Sequence, residues 1–262
     1  MQRITYGPLV CYRFHSLPSG DGLVHGMFTR LGGHSRPPWQ SLNTGHTVGD
    51  VPAAVEANHR AICKALGVEM AQLVSPHQVH SARVAAVGPA DRGQVIADAD
   101  ALFTDAPGVP LMLRFADCAP VWLYDPRQRA IGLAHAGWRG TVAGIVVASV
   151  RGMQATFGCR PRDLIAAIGP SIGPCCYEVG VDVARAVEEA FAGETEPYLE
   201  SRGAGRWHLN LWAAVRQQLV KVGVQQIEVA RLCTACNTHE WFSHRAELGR
   251  TGRMGALIAL QE

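Results

Sequence analysis

The sequence predicts an α+β fold in a single domain spanning residues 1–262: mixed β-sheets packed together, with flanking helices. Three observations carry that prediction. Strand-like and helix-like runs are mixed along the whole chain without a regular βαβ alternation. The stretch Val109–His135 reads as consecutive strands, the last two joined by a tight turn at Asp125-Pro126, which implies antiparallel or mixed pairing. No long Pro/Gly/Ser linker, low-complexity block or fixed-period repeat divides the chain.

The elements follow in order. Short runs rich in β-branched or aromatic residues mark strands at Leu23–Phe28, Arg83–Val87, Val109–Phe115, Val121–Tyr124, Ala130–His135, Leu164–Ile168 and Ile227–Arg231. A first helix is expected over Val51–Leu66, with Asp50 as N-cap, Pro52 in the first turn and Gly67 just past the end. A second runs from about Thr141 to Phe157 and stops at Gly158. A third, over Val181–Phe191, places Val183, Val187 and Phe191 on one face, and Gly193 follows it. In the fourth, Asn210 caps a face of Leu211, Val215, Leu219 and Val222, and Gly223 ends it.

Hydrophobic residues at 48% and charged residues at 18% supply ample material for a large core. A net charge of +2, with no basic run interleaved with aromatics, argues against a nucleic-acid partner but leaves room for a small anion held by a few arginines. The opening residues, Met1 to Pro8, contain no apolar core for a secretory signal. The longest apolar run, Val142–Val150, is far shorter than the ~20 residues of a spanning helix, so no membrane role is expected. The expected compartment is the reducing cytoplasm, where Cys11, Cys63, Cys118, Cys159, Cys175, Cys176, Cys233 and Cys236 stay free for packing, metal binding or chemistry.

Three segments place reactive groups beside strand ends: Ser75-Pro76-His77-Gln78-Val79-His80, Phe115-Ala116-Asp117-Cys118-Ala119-Pro120 and Ala134-His135-Ala136-Gly137-Trp138-Arg139-Gly140. Two imidazoles and a thiolate make a three-ligand zinc set that leaves a fourth position open, as a catalytic site requires. The competing reading is a packed cysteine and hydrogen-bonded histidines, since the triplet lacks the compact pairing of zinc fingers. His77 and His80 also compete, because odd spacing on an extended strand sends them to opposite faces. Gly169-Pro170-Ser171-Ile172-Gly173 fits a hydrolase nucleophile elbow, but Pro174 and two cysteines stand where a helix ought to start, so a Gly/Pro turn is expected. Cys233-Thr234-Ala235-Cys236 has no second Cys-x-x-Cys to complete a zinc ribbon and is expected to be buried thiols. Adjacent Cys175 and Cys176 point differently, so at most one is expected to reach a site.

Several of these segments carry a resemblance. His25-Gly26-Met27-Phe28-Thr29-Arg30-Leu31-Gly32-Gly33-His34-Ser35 and Ser41-Leu42-Asn43 resemble the opening of the polyphenol-oxidase (laccase-like) family. Its members are also called purine nucleoside phosphorylases and peptidoglycan editing factors. Gln78-Val79-His80, Ala116-Asp117-Cys118 and His135-Ala136-Gly137-Trp138-Arg139-Gly140 are similar to its metal segments. The likeness continues through Gly169–Gly180, Phe242-Ser243-His244-Arg245 and Thr251-Gly252-Arg253-Met254, in order and over nearly the whole chain. It implies Zn²⁺ on His80, Cys118 and His135, with His77 not a ligand. It also implies phosphorolysis of adenosine, inosine and methylthioadenosine, with some adenosine deamination. Asn210 stands where relatives commonly carry Asp, and His244 where they often carry Tyr; both lie outside the metal triplet.

On this reading the partners are purine nucleosides and phosphate. Arg30 is the first-ranked phosphate ligand, Arg139 and Arg245 follow, and Asn43 is a hydrogen-bonding group for ribose or base. Copper can occupy such a site because it outcompetes zinc for these ligands. Multicopper oxidation is disfavoured, because the eleven histidines never form His-x-His and a lone two-His, one-Cys set supports one metal. A cytidine-deaminase type of site is excluded, since His-x-Glu and Pro-Cys-x-x-Cys are absent. Two rivals remain at this point. One is a metal-free cysteine hydrolase, with Cys118 as nucleophile and His135 as base, acting in peptidoglycan-precursor editing. The other is an interaction protein with a structural zinc closed by His77 or Asp117.

Overall fold

The structure is a computed structural model that describes residues 1–18, 20, 22–192 and 198–261. The first half of the chain forms β1 (Gln2–Tyr6), β2 (Leu9–Arg13), β3 (Leu23–Phe28), α1 (Pro52–Leu66), β4 (Ser75–Pro76), β5 (Val84–Ala86), β6 (Val95–Ile96) and β7 (Ala101–Thr104). The centre forms β8 (Leu111–Phe115), β9 (Ala119–Asp125), β10 (Ala130–Ala136), α2 (Trp138–Val142), α3 (Ile145–Phe157), β11 (Ile165–Ile168) and β12 (Glu178–Val179). The rest forms α4 (Val181–Ala190), β13 (Leu199–Gly203), β14 (Arg206–Leu209), α5 (Leu211–Lys221), β15 (Gln226–Val229) and β16 (Met254–Leu260).

Two large sheets pack face to face, as the mixed α+β reading expects. One is antiparallel, in the order β1-β2-β3-β16-β8; the other is mixed, in the order β15-β11-β9-β10-β7-β5, with parallel pairs at both edges. Alternation along the central strands explains how one apolar run serves two layers. Trp122 and Tyr124 of β9 point between the sheets, toward Leu113, Met254 and Ile258, whereas Val121 and Leu123 pack under α3 and α5. Likewise Leu111 and Leu113 of β8 face the inter-sheet core while Met112 packs with Ile62 and Leu66 of α1. The buried Trp122 indole N–H donates to Leu257 O across the layers at 3.1 Å. A small sheet, β12-β14-β13, packs with α4 at the periphery.

The β9–β10 hairpin pairs Asp125 with Ala130, and Asp125 Oδ1 accepts the backbone N–H groups of Arg127 and Gln128 at 2.8 and 3.1 Å. Asn210 caps α5 by accepting from Ala213 N–H at 3.1 Å, and Gly67 ends α1 in the left-handed conformation with φ 66°. Several elements differ from expectation. The expected helix over Thr141–Phe157 begins earlier and breaks into α2 and α3 at Gly144, whose φ of 83° is left-handed. Val51 is the N-cap of α1, and Asp50 instead accepts from Val51 N–H at 2.8 Å and from Asn43 at 2.8 Å. β16 (Met254–Leu260), a central strand, lies beyond the expected set because it carries a single β-branched residue, Ile258, and begins Met254-Gly255-Ala256. Gly193, expected to follow the third helix, lies outside the described residues.

Two core histidines make the fold acid-sensitive. His25 Nε2 accepts Phe14 N–H at 2.9 Å and His59 Nε2 meets Thr44 O at 2.9 Å, both rings buried. Burial is the main cause that lowers each from 6.5 to about 4. The unfolded chain therefore binds more protons between pH 6.5 and 4, so stability is full above that window and lost as pH falls through it. Each ring is expected to contribute about 2–4 kcal/mol of that loss. Imidazole NMR at pH 5 is expected to find both rings neutral; protonated signals from folded protein at that pH contradict this.

Candidate metal centre

The three sequence-predicted ligands come from three separate places in the mixed sheet and its loops. His135 is the penultimate residue of β10, and Cys118 fills the short connection from β8 to β9. The β9–β10 register pairs Ala119 with Ala136 and Pro120 with His135, which brings Cys118 alongside His135. His80 lies in the loop after β4 with a left-handed φ of 61°. One donor atom from each of the three lies within 4.8 Å of the others, and the two imidazole rings meet edge to face with centroids 4.9 Å apart.

Asp100 organises all of this, and nothing in the sequence reading singled it out. Its carboxylate is fully buried and accepts from His135 Nδ1 at 2.9 Å, His80 N–H at 3.0 Å, Ser81 N–H at 2.7 Å, Ser81 Oγ at 2.8 Å and Val79 N–H at 3.3 Å. Burial alone raises its pKa, yet the hydrogen bonds from His135 and Ser81 outweigh that and hold it well below the carboxylate range. With Nδ1 committed to Asp100, His135 has Nε2 left to face Cys118 and His80, the carboxylate–histidine arrangement that orients metal ligands. Burial likewise raises the Cys118 thiol, but His135 and then His80 reverse that and favour the thiolate. Cys118 and Asp100 in turn raise His135 against the effect of its burial.

The local backbone shows why these residue types stand where they do. A Cβ on Gly137 would lie 2.8 Å from Cys118 Sγ and 3.5 Å from His80 Cδ2, so only glycine leaves room for the converging side chains. Asp117 is left-handed at φ 83°, and its carboxylate takes Thr234 Oγ1 at 2.6 Å and Arg245 N–H at 2.7 Å. His77 is exposed and pairs with Asp98 at 3.1 Å, outside the donor group. Strand parity does not separate it from His80, because β4 ends at Pro76 and the chain turns before His80. Neither His77 nor Asp117 closes the triplet; among the described residues the group holds three donors.

The predicted anion-binding residues divide into two sets. Arg245 is exposed over the Tyr177 ring, with centroid distance 5.3 Å, and Arg139 is exposed over Trp138 at 4.5 Å. The Tyr177 phenol is raised first by burial and then by Cys118, while Arg245 and Arg139 pull it down, so these groups share one neighbourhood. Arg30 is spent on protein: Nε donates to Gln40 O at 2.9 Å and Nη1 to Thr238 O at 2.7 Å and Glu247 at 3.0 Å. Glu247 also holds Ser243 N–H and Thr251 Oγ1, so Arg30 braces the loop that carries Arg245. Asn43 is fully buried, and its Oδ1 accepts Gly45 N–H at 2.9 Å and Arg253 N–H at 2.8 Å. Arg253 itself was not anticipated. Burial lowers its guanidinium, and the charges of Cys118 and Asp117 oppose that, which places it beside the centre.

The other sequence motifs also find places. Ser171 of the elbow-like motif is fully buried and accepts Trp212 Nε1 at 2.6 Å, so the segment is a structural turn. Cys233 is buried as expected but Cys236 is exposed, and the expectation that at most one of Cys175 and Cys176 reaches a site is overturned: the sulfurs of Cys175, Cys176, Cys233 and Cys236 all lie within 4.8 Å of one another, because the two turns meet at the same end of the sheet. No helix among the described residues is long and apolar enough to cross a membrane.

Known proteins share both sequence and fold with this one. A purine nucleoside phosphorylase, YlmD, of Geobacillus stearothermophilus is 39% identical over 254 residues, covering 94% of this chain and 93% of its own length. One from Bacteroides thetaiotaomicron is 34% identical over 250 residues, with 92% and 93% covered. The crystal structure of YlmD from Geobacillus stearothermophilus superposes with a TM-score of 0.93 at 36% identity, covering 99% and 98% of the two chains. That of the Bacillus licheniformis hypothetical protein YfiH gives 0.91 at 35% identity, with 97% of each covered. The profile described as multi-copper polyphenol oxidoreductase laccase matches residues 24–261, a span that includes His80, Cys118 and His135 together with Asp100; the chain belongs to that family.

Proposed function

We propose that the protein is a zinc-dependent purine nucleoside phosphorylase of the cytoplasm that takes adenosine, inosine and methylthioadenosine, with adenosine deamination as a side activity. The observation that carries this reading is the open three-donor set of His80, Cys118 and His135 beside Arg139, Arg245 and Arg253. The names of the relatives support the same reading. In phosphorolysis a phosphate oxygen bonds to ribose C1′ while the glycosidic C–N bond breaks, and its electron pair leaves on the purine, which takes up a proton.

When bound, zinc supplies a Lewis acid at a position open to an oxygen nucleophile, with net charge +1 after the Cys118 thiolate. The chain's own groups do the rest. Asp100 fixes the His135 imidazole and the backbone of His80; Arg139 and Arg245 present guanidinium groups to the phosphate, and Arg253 adds charge from the buried side. We assign to Arg30 and Asn43 the task of holding the loops that carry Arg245 and Arg253. Two imidazoles converging on one thiol suit a metal better than an oxidase of several coppers.

One observation favours a second reading. Asp100, His135 and Cys118 line up as orienting carboxylate, base and nucleophile, the order a metal-free cysteine hydrolase uses. His80 has no task in that triad, which is why the metal reading ranks first. The test is adenosine turnover with and without phosphate. Adenine and ribose 1-phosphate are expected only with phosphate, and Arg245→Ala is expected to raise the phosphate KM about 10- to 100-fold at full zinc content. A metal-replete enzyme that consumes no purine nucleoside refutes the proposal, and amide cleavage that survives chelation hands the site to the hydrolase reading.

A further inference from the structure

The four converging thiols have no part in the reaction proposed above. Cys175 and Cys176 lie in the turn after β11, and Cys233 and Cys236 in the turn after β15. β11 and β15 are parallel neighbours, so both turns leave the same end of the sheet. A bridge between Ser171 and Cys233 carries the pairing on into the turns. There Ser171 N–H donates to Leu232 O at 3.2 Å and Thr234 N–H to Ser171 O at 3.1 Å. Cys236 Sγ then stands 3.5 Å from Cys175 Sγ and 3.3 Å from Cys176 Sγ.

Three features separate this group from cysteines that merely pack. Free cysteines acting as small hydrophobes are buried, whereas here only Cys233 is, and Cys175 and Cys236 are exposed. A tetrahedral ion with bonds of about 2.3 Å to sulfur sets its ligands about 3.8 Å apart, and all four sulfurs already fall within 4.8 Å of one another. Gly173 N–H donates to Cys233 Sγ at 3.2 Å, a bond that supports thiolate charge. Cys233-x-x-Cys236 has the spacing of half a zinc ribbon, and the adjacent pair Cys175-Cys176 supplies the other half from across the sheet end.

We propose that Cys175, Cys176, Cys233 and Cys236 hold a structural Zn²⁺, closed by four sulfurs and distinct from the centre at His80, Cys118 and His135. On loading, the thiols release their protons to solvent and bind as thiolates. The ion clamps the two turns that grip the residue before Cys118: Thr234 Oγ1 donates to Asp117 Oδ1 at 2.6 Å, and Ile172 N–H donates to Asp117 O at 2.9 Å.

The test is metal content of the full chain, purified under reducing conditions without chelator, read by mass spectrometry of the elements. The wild type is expected to carry two zinc ions per chain, Cys118→Ser one, Cys236→Ser one, and the doubly substituted chain none. X-ray absorption on Cys118→Ser protein needs no change in the cluster, and is expected to show an all-sulfur shell at about 2.3 Å. A wild type with a single zinc that Cys118→Ser removes overturns the proposal. So does a shell containing histidine nitrogen in that variant, or a disulfide among the four cysteines of the purified chain.

Discussion

Cys118→Ser is expected to strip the zinc from the reaction centre and abolish phosphorolysis. The substitution keeps shape and size but replaces a soft, anionic donor by a neutral hydroxyl, and the two remaining imidazoles hold the ion weakly. A Lewis acid contributes several kcal/mol at the transition state, so its loss is expected to cost about a thousandfold or more in rate. His80→Ala is expected to behave in the same way. His77→Ala is the internal control, because that ring is exposed and paired with Asp98, and it is expected to leave zinc and rate unchanged. Elemental analysis with the phosphorolysis assay reads all three variants. Full zinc retention by Cys118→Ser sinks the ligand assignment, and its inactivity would then point to the thiol as a nucleophile.

Asp100→Asn is expected to have the second-largest effect, through groups that never touch substrate. Five donors converge on one carboxylate, and an asparagine amide offers a single acceptor oxygen while turning N–H groups toward other N–H groups. His135 then loses its fixed tautomer and His80 the anchor of its left-handed backbone. Zinc affinity is expected to fall about 10- to 100-fold, as for other partners behind a metal-bound histidine. Stability of the metal-free chain is expected to fall by about 3–5 kcal/mol, since buried charge partners are left unmatched. Competition with a chromophoric chelator and denaturant unfolding measure the two separately. An affinity within a factor of two of the wild type contradicts the assignment of Asp100 as the orienting group.

The sequence made some of this legible and hid the rest for identifiable reasons. The hairpin through β9 and β10 could be read because strands buried on both faces spell continuous apolar runs, broken only at Asp125-Pro126. Cys118 and His135 stood out because they end or border those runs, and His80 joined them through surrounding motifs that resemble a family. Asp100 did not, since Ala97-Asp98-Ala99-Asp100-Ala101 offers two carboxylates of equal standing. Only the pairing of β10 with β7 shows that one is buried against His135 and the other exposed. Arg30 and Asn43 stood out through the same family likeness, yet their polar atoms turn inward, a fact of tertiary packing. The four-thiol group was hidden because its halves are far apart in sequence and meet only where β11 and β15 run in parallel.

The position of β16 has a consequence for how the molecule comes into being. This segment is made after the other described strands, yet it sits at the centre of its sheet, between β3 and β8. Until residues 254–260 leave the ribosome, β3 and β8 present bare hydrogen-bonding edges, and the indole N–H of Trp122 has no Leu257 carbonyl to meet. Arg245 and Arg253 arrive in the same late stretch, so the neighbourhood of Cys118 is incomplete for as long as the sheet is. Synthesis from the N-terminal end therefore leaves the apolar face of the sheet uncovered until β16 is made. An uncovered apolar face of that kind is open to aggregation, and losing residues 254–260 would leave the core unfinished.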